Sequence, residues 1–368
     1  MKLNFNNKQD YNKIKDLTFL KYDFIIVGSG PAAVTLYSQI ISSSKHSIKI
    51  LMIERGDLNE KKYKKINYKG LPIKIKSRVF SVGGSSNEWS NISSYFEKFE
   101  MESRWGKKTK NLWPLSHSEL THHYRKLNKK FGFNFHYLKK KKIKLPLEIR
   151  PFIASVNPIN FKNLINFNKV DLIYNCKIDT IDEKKNLSLA YTKKKQICFK
   201  GNKLIVTCGG IETVNLILNS IKNQKILKMR NKKSVGKYFM DHPKLDLGYL
   251  LYPKTNLIKK FELKKKGKNF SFFGLSIDKK IQKKFNLLNS YIRFEKTSNK
   301  ITKIINLIQS PILRKIIPEN KKNLFKIRLF CEMRPSEKNI IVKRNNSLYV
   351  NYKLRKNDFL TIKYLIKK

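Results

Sequence analysis

Apolar positions along the chain follow two regimes: apolar runs alternating with helical patterns, then strand-like segments alone. Phe24, Ile25, Ile26 and Val27 form an uninterrupted apolar run, the pattern of a strand covered on both faces, as in a parallel sheet. The run breaks at Gly28 and Gly30, and from Pro31 to about Ser44 the residues Ala33, Leu36, Ile40 and Ile41 recur roughly in helical register. A second apolar strand ends at Glu54. Residues 57–77 are lysine-rich and read as a surface excursion, followed by a glycine-serine loop with a tryptophan, Val82 to Asn91. Ser116 or Ser118 can cap a helix with Leu120, Tyr124 and Leu127 on one face. Residues 138–144 read as a charged loop. From Val170 to Cys208 short β-type runs alternate with turns, and the last leads into Gly209, Gly210 and a helical pattern. Beyond Pro243 the segments 245–252, 272–278, 290–295, 325–333, 339–344 and 348–354 are all β-type, with a helical insertion near 301–316. Such a run predicts a separate, largely antiparallel sheet. Residues 357–368 start like a helix, with Asn357 or Asp358 as cap and Phe359, Ile362 and Ile366 on one face.

The break after Val27 carries chemistry. Gly28 permits a tight turn, and Gly30, after Ser29 in the same cofactor-binding turn, lacks the side chain that would keep a pyrophosphate from the backbone. A helix starting at Pro31 aims free N–H groups and its positive dipole end at that phosphate, with Ala32 in its first turn. Ala33 stands where the G-x-G-x-x-G/A pattern allows alanine. Glu54, at the end of the next strand, is placed to accept the ribose hydroxyls of an adenine nucleotide.

Composition narrows the classes. With 368 residues, 40% hydrophobic and 12% aromatic, the chain can fill two cores and is not a disordered type. Its 80 Lys plus Arg against 26 Asp plus Glu give +54, a charge that suits polyanions. The lysines are spread along the whole length with no recognised nucleic-acid motif, so a solvated surface is the better reading and no specific nucleic-acid partner is expected. Cys176, Cys198, Cys208 and Cys331 have neither CxxC spacing nor a dense framework, and fit buried thiols in a reducing compartment. The first residues lack an apolar signal core, and no apolar run is long enough to span a bilayer. The cytoplasm is therefore the expected location. No metal-ligand cluster is expected, and His46, His117, His122, His123 and His136 read as solvated or unsupported.

Taken together, five segments resemble the glucose-methanol-choline family of FAD-dependent oxidoreductases over nearly all of residues 22–368. They are GSGPAA with Glu54-Arg55-Gly56, VGGSSNEW, WPLSHSEL with Tyr124, IVTCGGIETVNLIL and SVGKYFMDHP. The resemblance implies an α/β fold: a Rossmann-like FAD-binding domain with a second, mostly antiparallel α+β substrate domain. Its boundaries are a tail at 1–20, a discontinuous FAD-binding domain at 21–110 and 169–242, a helical and loop excursion at 111–168, and a substrate domain at 243–368. Gly83 and Gly84 would let backbone pass close beneath the flavin, and Ser85, Ser86 and Asn87 would offer donors. Trp89 stands where the family commonly has asparagine. The backbone of Ile178 would meet the adenine, and Gly209 would bring a second turn to the cofactor with Cys208 and Glu212 nearby. The VGGSSNEW loop holds no histidine, so FAD is expected to be non-covalent.

Oxidising an alcohol by hydride transfer to flavin needs a base for the hydroxyl proton, and histidine suits the task. In the resembled family that histidine and its His or Asn companion follow the substrate-domain strands. Here no histidine follows His242, itself more structural than catalytic by resemblance. The expectation is therefore a truncated or split reading frame without catalytic residues of its own, or a partner chain that supplies them. Three functions follow. The first is an FAD-dependent dehydrogenase or oxidase acting on the CH–OH group of a sugar, polyol or related alcohol, with an unidentified electron acceptor. The second is a catalytically incomplete flavin- or nucleotide-binding remnant or scaffold, and the third a basic nucleic-acid-binding protein.

Overall fold

The computed structural model describes residues 8–13, 21–101, 113–133, 141–142, 146–184, 187–192, 197–222, 232–253, 261–297, 322–345 and 347–367. The helical insertion expected near 301–316, and His136, lie outside these residues. The fold is mixed α/β, with six α-helices and several sheets among the described residues. Contacts divide the chain into two compact units. One holds Met1–Trp89, Ile159–Phe239 and Pro335–Lys353, and the other Ser90–Pro158, Met240–Arg334 and Leu354–Lys368.

The first unit is built on a seven-stranded sheet. Its order is Gln9–Asp10, Asp171–Tyr174, Ile50–Ile53, Lys21–Val27, Cys198–Val206, Leu187–Tyr191, Thr180–Lys184. The first five strands are mutually parallel and the last two join antiparallel. Ile25, Ile26, Leu51, Met52 and Leu172 are fully buried, which accounts for the unbroken apolar runs in the sequence. Part of the expected N-terminal tail joins this sheet: Gln9–Asp10 pairs with Ile173 and Tyr174, and Tyr11 is buried in the core.

The first helix, Pro31–Ser43, packs through Ala33, Val34 and Tyr37. Leu36, expected on the packed face, is exposed. The stripe of Ala33, Val34 and Tyr37 is a tighter i, i+1, i+4 set than the one read from sequence. A small three-stranded sheet completes the unit, with Ile340–Arg344 and Ser347–Tyr352 as a hairpin whose second strand runs parallel to Asn67–Gly70. Sequence order alone had grouped that hairpin with the strands after Pro243.

The second unit has an antiparallel sheet in the order Lys244–Pro253, Lys322–Cys331, Ser290–Lys296, Asn269–Ile277, Leu147–Ser155, Lys141–Lys142. Leu147–Ser155 is a nine-residue strand inside the stretch expected to be helix and loop, and Lys141–Lys142 pairs with it. Helix His117–Phe131 begins at Ser116 with a complete capping box to Glu119. Leu127, expected on its packed face, is exposed. The C-terminal helix Lys356–Lys367 buries Asp358, Thr361, Ile362 and Leu365 and exposes Phe359 and Ile366. The expected face of Phe359, Ile362 and Ile366 is thus corrected: the covered stripe follows i, i+3, i+4, i+7 from Asp358. Asp358 Oδ2 accepts from the Arg355 amide (2.7 Å) and Oδ1 from the Arg334 amide (2.9 Å).

Candidate functional site

Two crossings from strand to helix in the first unit open into one cavity. Val27 ends a strand, Gly28-Ser29-Gly30 turns, and Pro31 starts a helix. Beside it Val206 ends the neighbouring parallel strand and the helix Gly209–Lys222 follows. The turn at Gly28 requires glycine: φ is +103°, and a Cβ there would lie 2.7 Å from the Thr207 carbonyl oxygen. The cavity, about 830 Å³, lies at the carboxyl ends of these strands, where open parallel sheets bind ligands. Its volume falls within the roughly 300–1,000 Å³ of small-molecule pockets.

Of the residues singled out from sequence, Gly28, Ser29, Gly30, Pro31, Ala32, Glu54, Arg55, Gly84, Ser85, Trp89, Ile178, Cys208, Gly209 and Glu212 line this cavity. Ala33, Gly83, Ser86 and Asn87 stand behind the lining. Ala33 is fully buried in its helix. The Ser86 hydroxyl donates to the Gly83 carbonyl (2.6 Å) and accepts from the Phe161 amide (2.9 Å). The Asn87 amide donates to the carbonyls of Val82 and Gly84 (3.0 Å each) and accepts from Asn160 (2.8 Å). These side chains brace the loop, because a turn with two glycines needs side chains to satisfy its backbone groups. The Trp89 indole donates to the Ile159 carbonyl (2.9 Å) and meets Phe161 edge-on.

Glu54 is buried, and three donors hold its carboxylate. Oε2 accepts from the Ser29 hydroxyl (2.6 Å) and amide (3.1 Å), and Oε1 from the Gly56 amide (2.7 Å). An ionised carboxylate offers about four acceptor positions, so one remains on Oε1. Burial pushes the Glu54 carboxyl up, opposed by these hydrogen bonds and by Arg55. Burial, then Glu54 and Glu212, push the Cys208 thiol up to about 12. Cys208 therefore remains a protonated thiol, donating to the Val27 carbonyl (3.2 Å).

The helix at Pro31 has no side-chain cap on its N-terminus. Pro31 has no N–H, and the Ala32 and Ala33 amides precede the first helical hydrogen bond, from Val34 to Gly30. Gly209 and Gly210 have no heavy atom within 4 Å of where a Cβ would stand, and at Gly30 only the Gly84 Cα approaches, at 3.9 Å. The cavity thus offers open backbone, uncapped amides and a carboxylate with one vacant acceptor position.

Sequence reading missed Arg78 and Phe80, both of which line the same cavity. The Glu212 carboxylate pairs with Arg55 (3.2 Å) and, through its other oxygen, with Arg78. The Arg55 guanidinium lies over the Phe80 ring at 4.3 Å. Arg78 is buried and also donates to the Lys64 carbonyl (3.0 Å). Burial, then the charge of Arg55, push the nearby Lys64 ammonium down. One signal could have found Arg78: in a chain dominated by lysine, it is an arginine followed directly by Val79 and Phe80. Among the described residues no histidine lines the cavity, and none of the His, Cys, Asp and Glu groups could hold a metal ion. His122, His123 and His242 are exposed. No described helix is long and apolar enough to cross a membrane.

Comparison with solved structures finds chains of similar fold. It is similar to pyridoxine 4-oxidase from Mesorbium loti, with a TM-score of 0.50 and 10% identity over 92% of this chain and 76% of that one. At that identity the likeness concerns the fold alone. It also matches a formate oxidase of Aspergillus oryzae, from a study of FAD modification, with a TM-score of 0.49 and 11% identity over 96% of this chain and 81% of that one. No protein-family model matches the sequence, and no curated protein does.

Proposed function

We propose that this chain is an FAD-binding oxidoreductase of the glucose-methanol-choline type, acting on the CH–OH group of an alcohol or sugar. The observation that carries this reading is one cavity at the ends of parallel strands that combines an uncapped helix N-terminus with a buried acid on the adjacent strand. In a Rossmann-like frame that pair recognises the diphosphate and adenosine ribose of a dinucleotide. The amide of Ala32 and the bare backbone at Gly30 would hold the diphosphate, and the vacant position on Glu54 Oε1 a ribose hydroxyl. Gly84 and Ser85 would face the cofactor from the second loop, and Ile178 and Gly209 from the far side.

When bound, FAD supplies the hydride acceptor, and the protein supplies binding and orientation. Ser29 keeps Glu54 fixed, and Glu54 in turn fixes where the ribose sits. No group in the described cavity is assigned as the base for the alcohol proton. The nucleotide-binding part of the first unit and the substrate role of the second are part of this proposal.

Purification followed by a visible absorption spectrum tests the binding half: a yellow chain that releases intact FAD on denaturation supports it, and a colourless chain that FAD does not restore removes it. Anaerobic addition of sugars, polyols and simple alcohols to the yellow chain tests the chemistry through bleaching of the flavin band. A yellow chain that none of them bleaches would favour a nucleotide-binding scaffold.

A further inference from the structure

We infer that Arg55 is the platform on which the adenine ring of the dinucleotide stacks, and that Glu212, itself held by Arg78, sets the plane of the Arg55 guanidinium. This rests on the dinucleotide reading above and extends it to a recognition residue for the base.

Arg55 follows the ribose-binding Glu54 directly and lines the same cavity. Its guanidinium is constrained on two sides. One edge is paired with Glu212 Oε2 at 3.2 Å, and one face covers the Phe80 ring at 4.3 Å. The other oxygen of Glu212 is taken by Arg78, whose side chain is only 6% exposed and whose second nitrogen is anchored on the Lys64 carbonyl. The carboxylate therefore cannot swing without stranding a buried cation, which is costly.

A guanidinium with its edge paired and one face covered has its opposite face left for contact. That face is flat, delocalised and weakly hydrated, and it suits an aromatic ring better than a phosphate. The uncapped helix at Pro31 already offers a phosphate site, which leaves this plane beside the ribose acceptor for the base. The choice of residue agrees: the chain uses lysine far more often than arginine, yet a planar fork stands at both 55 and 78. The assembly Phe80–Arg55–Glu212–Arg78 thus presents a fixed, charged plane beside the ribose acceptor.

The test is the affinity of the flavin-free full chain for FAD, by flavin fluorescence, and for ADP, by calorimetry. The variants are Arg55→Ala, Arg55→Lys, Glu212→Gln and the double variant Arg55→Ala with Glu212→Gln. Losing a stacking partner should weaken both ligands about tenfold or more. Arg55→Lys should lose as much as Arg55→Ala, because it keeps the charge but not the plane. Glu212→Gln should lose less, and the double variant should bind no more weakly than Arg55→Ala alone, since Glu212 acts through Arg55. Wild-type affinity in either Arg55 variant overturns the platform, and full retention in Arg55→Lys alone would mean that charge, not stacking, recognises the ligand. Additive losses in the double variant overturn the positioning role of Glu212. If the wild-type chain binds neither FAD nor ADP, the dinucleotide reading falls and the platform with it, an outcome distinct from a difference between variants.

Discussion

The Ser29 hydroxyl donates to Glu54 Oε2 over 2.6 Å while accepting from the Gly83 amide at 3.2 Å. One buried hydroxyl thereby joins the first glycine turn, the acid at the end of the next strand and the second glycine loop. Substituting Ser29→Ala removes a hydrogen bond to a buried carboxylate and strands the Gly83 amide. The expected loss is about 1.5–3 kcal/mol of stability, read as a lower urea midpoint, with weaker flavin retention. An unchanged midpoint would mean that this bond does not organise the site.

Gly30 and Gly84 face each other, yet substitutions there should act differently. A Cβ on Gly30 meets only the Gly84 Cα, at 3.9 Å, whereas a Cβ on Gly84 would lie 2.9 Å from the Gly30 Cα at a φ of +55°. Gly30→Val should fold at a cost of about 1 kcal/mol for a poorer helix start and still lose FAD, because the side chain would fill the space proposed for the phosphate. Gly84→Ala should instead destabilise the fold by about 1–3 kcal/mol, through strain at a left-handed position and the forced parting of two loops. Chemical denaturation alongside flavin content separates the two, and a yellow Gly30→Val chain would show that the diphosphate is misplaced.

Asp171 gives the first unit a specific pH dependence. Burial raises its carboxyl from 3.8 to about 6, against the opposing hydrogen bond from Tyr22 and the charge of Lys49. The folded state holds this proton more tightly than the unfolded one, so the contribution is complete below about 4 and is lost as pH rises through about 6. Asp171→Asn, which keeps an acceptor for Tyr22, should flatten the unfolding free energy over that window. An identical pH profile in the variant would remove Asp171 as the source.

The second unit depends on a buried ion pair. Arg150 donates through Nη2 to both oxygens of Glu100 (2.9 and 3.1 Å) and to the Tyr95 carbonyl (2.9 Å), and the Glu100 side chain is 1% exposed. Arg150→Met leaves that carboxylate buried without its counter-charge, held only by the Asn289 side chain and the Glu97 amide, at an expected cost of about 3–5 kcal/mol. Adding Glu100→Gln should restore part of the loss. Urea unfolding of the single and double variants decides it, and a harmless Arg150→Met would mean that Glu100 finds other compensation.

Much of the backbone plan can be read from the letters. The apolar runs at Phe24–Val27 and ending at Glu54 become buried parallel strands, and Ser116 starts a helix with Glu119 completing the cap. The strand Leu147–Ser155 was hidden because it carries Glu148, Arg150 and Pro151, residues that argue against a core strand. Arg150 is accommodated by Glu100, fifty positions away, and the strand is completed by its long pairing with Asn269–Ile277. The buried faces of the Pro31 and Lys356 helices are not legible in the sequence, because several apolar stripes fit each and only the neighbouring surface selects one.

By itself the sequence determined where the backbone turns, where it is left bare, and which runs must be covered on both faces. Those depend on local sterics, on missing side chains such as that of Gly28, and on the period of apolar residues. Only the tertiary structure decided that Ser86 and Asn87 brace their own loop, and that Arg78 and Arg55 converge on Glu212 from 134 and 157 positions away. Charge pairing and burial depend on distance in space and on the exclusion of water, and neither is carried by the order of residues along the chain.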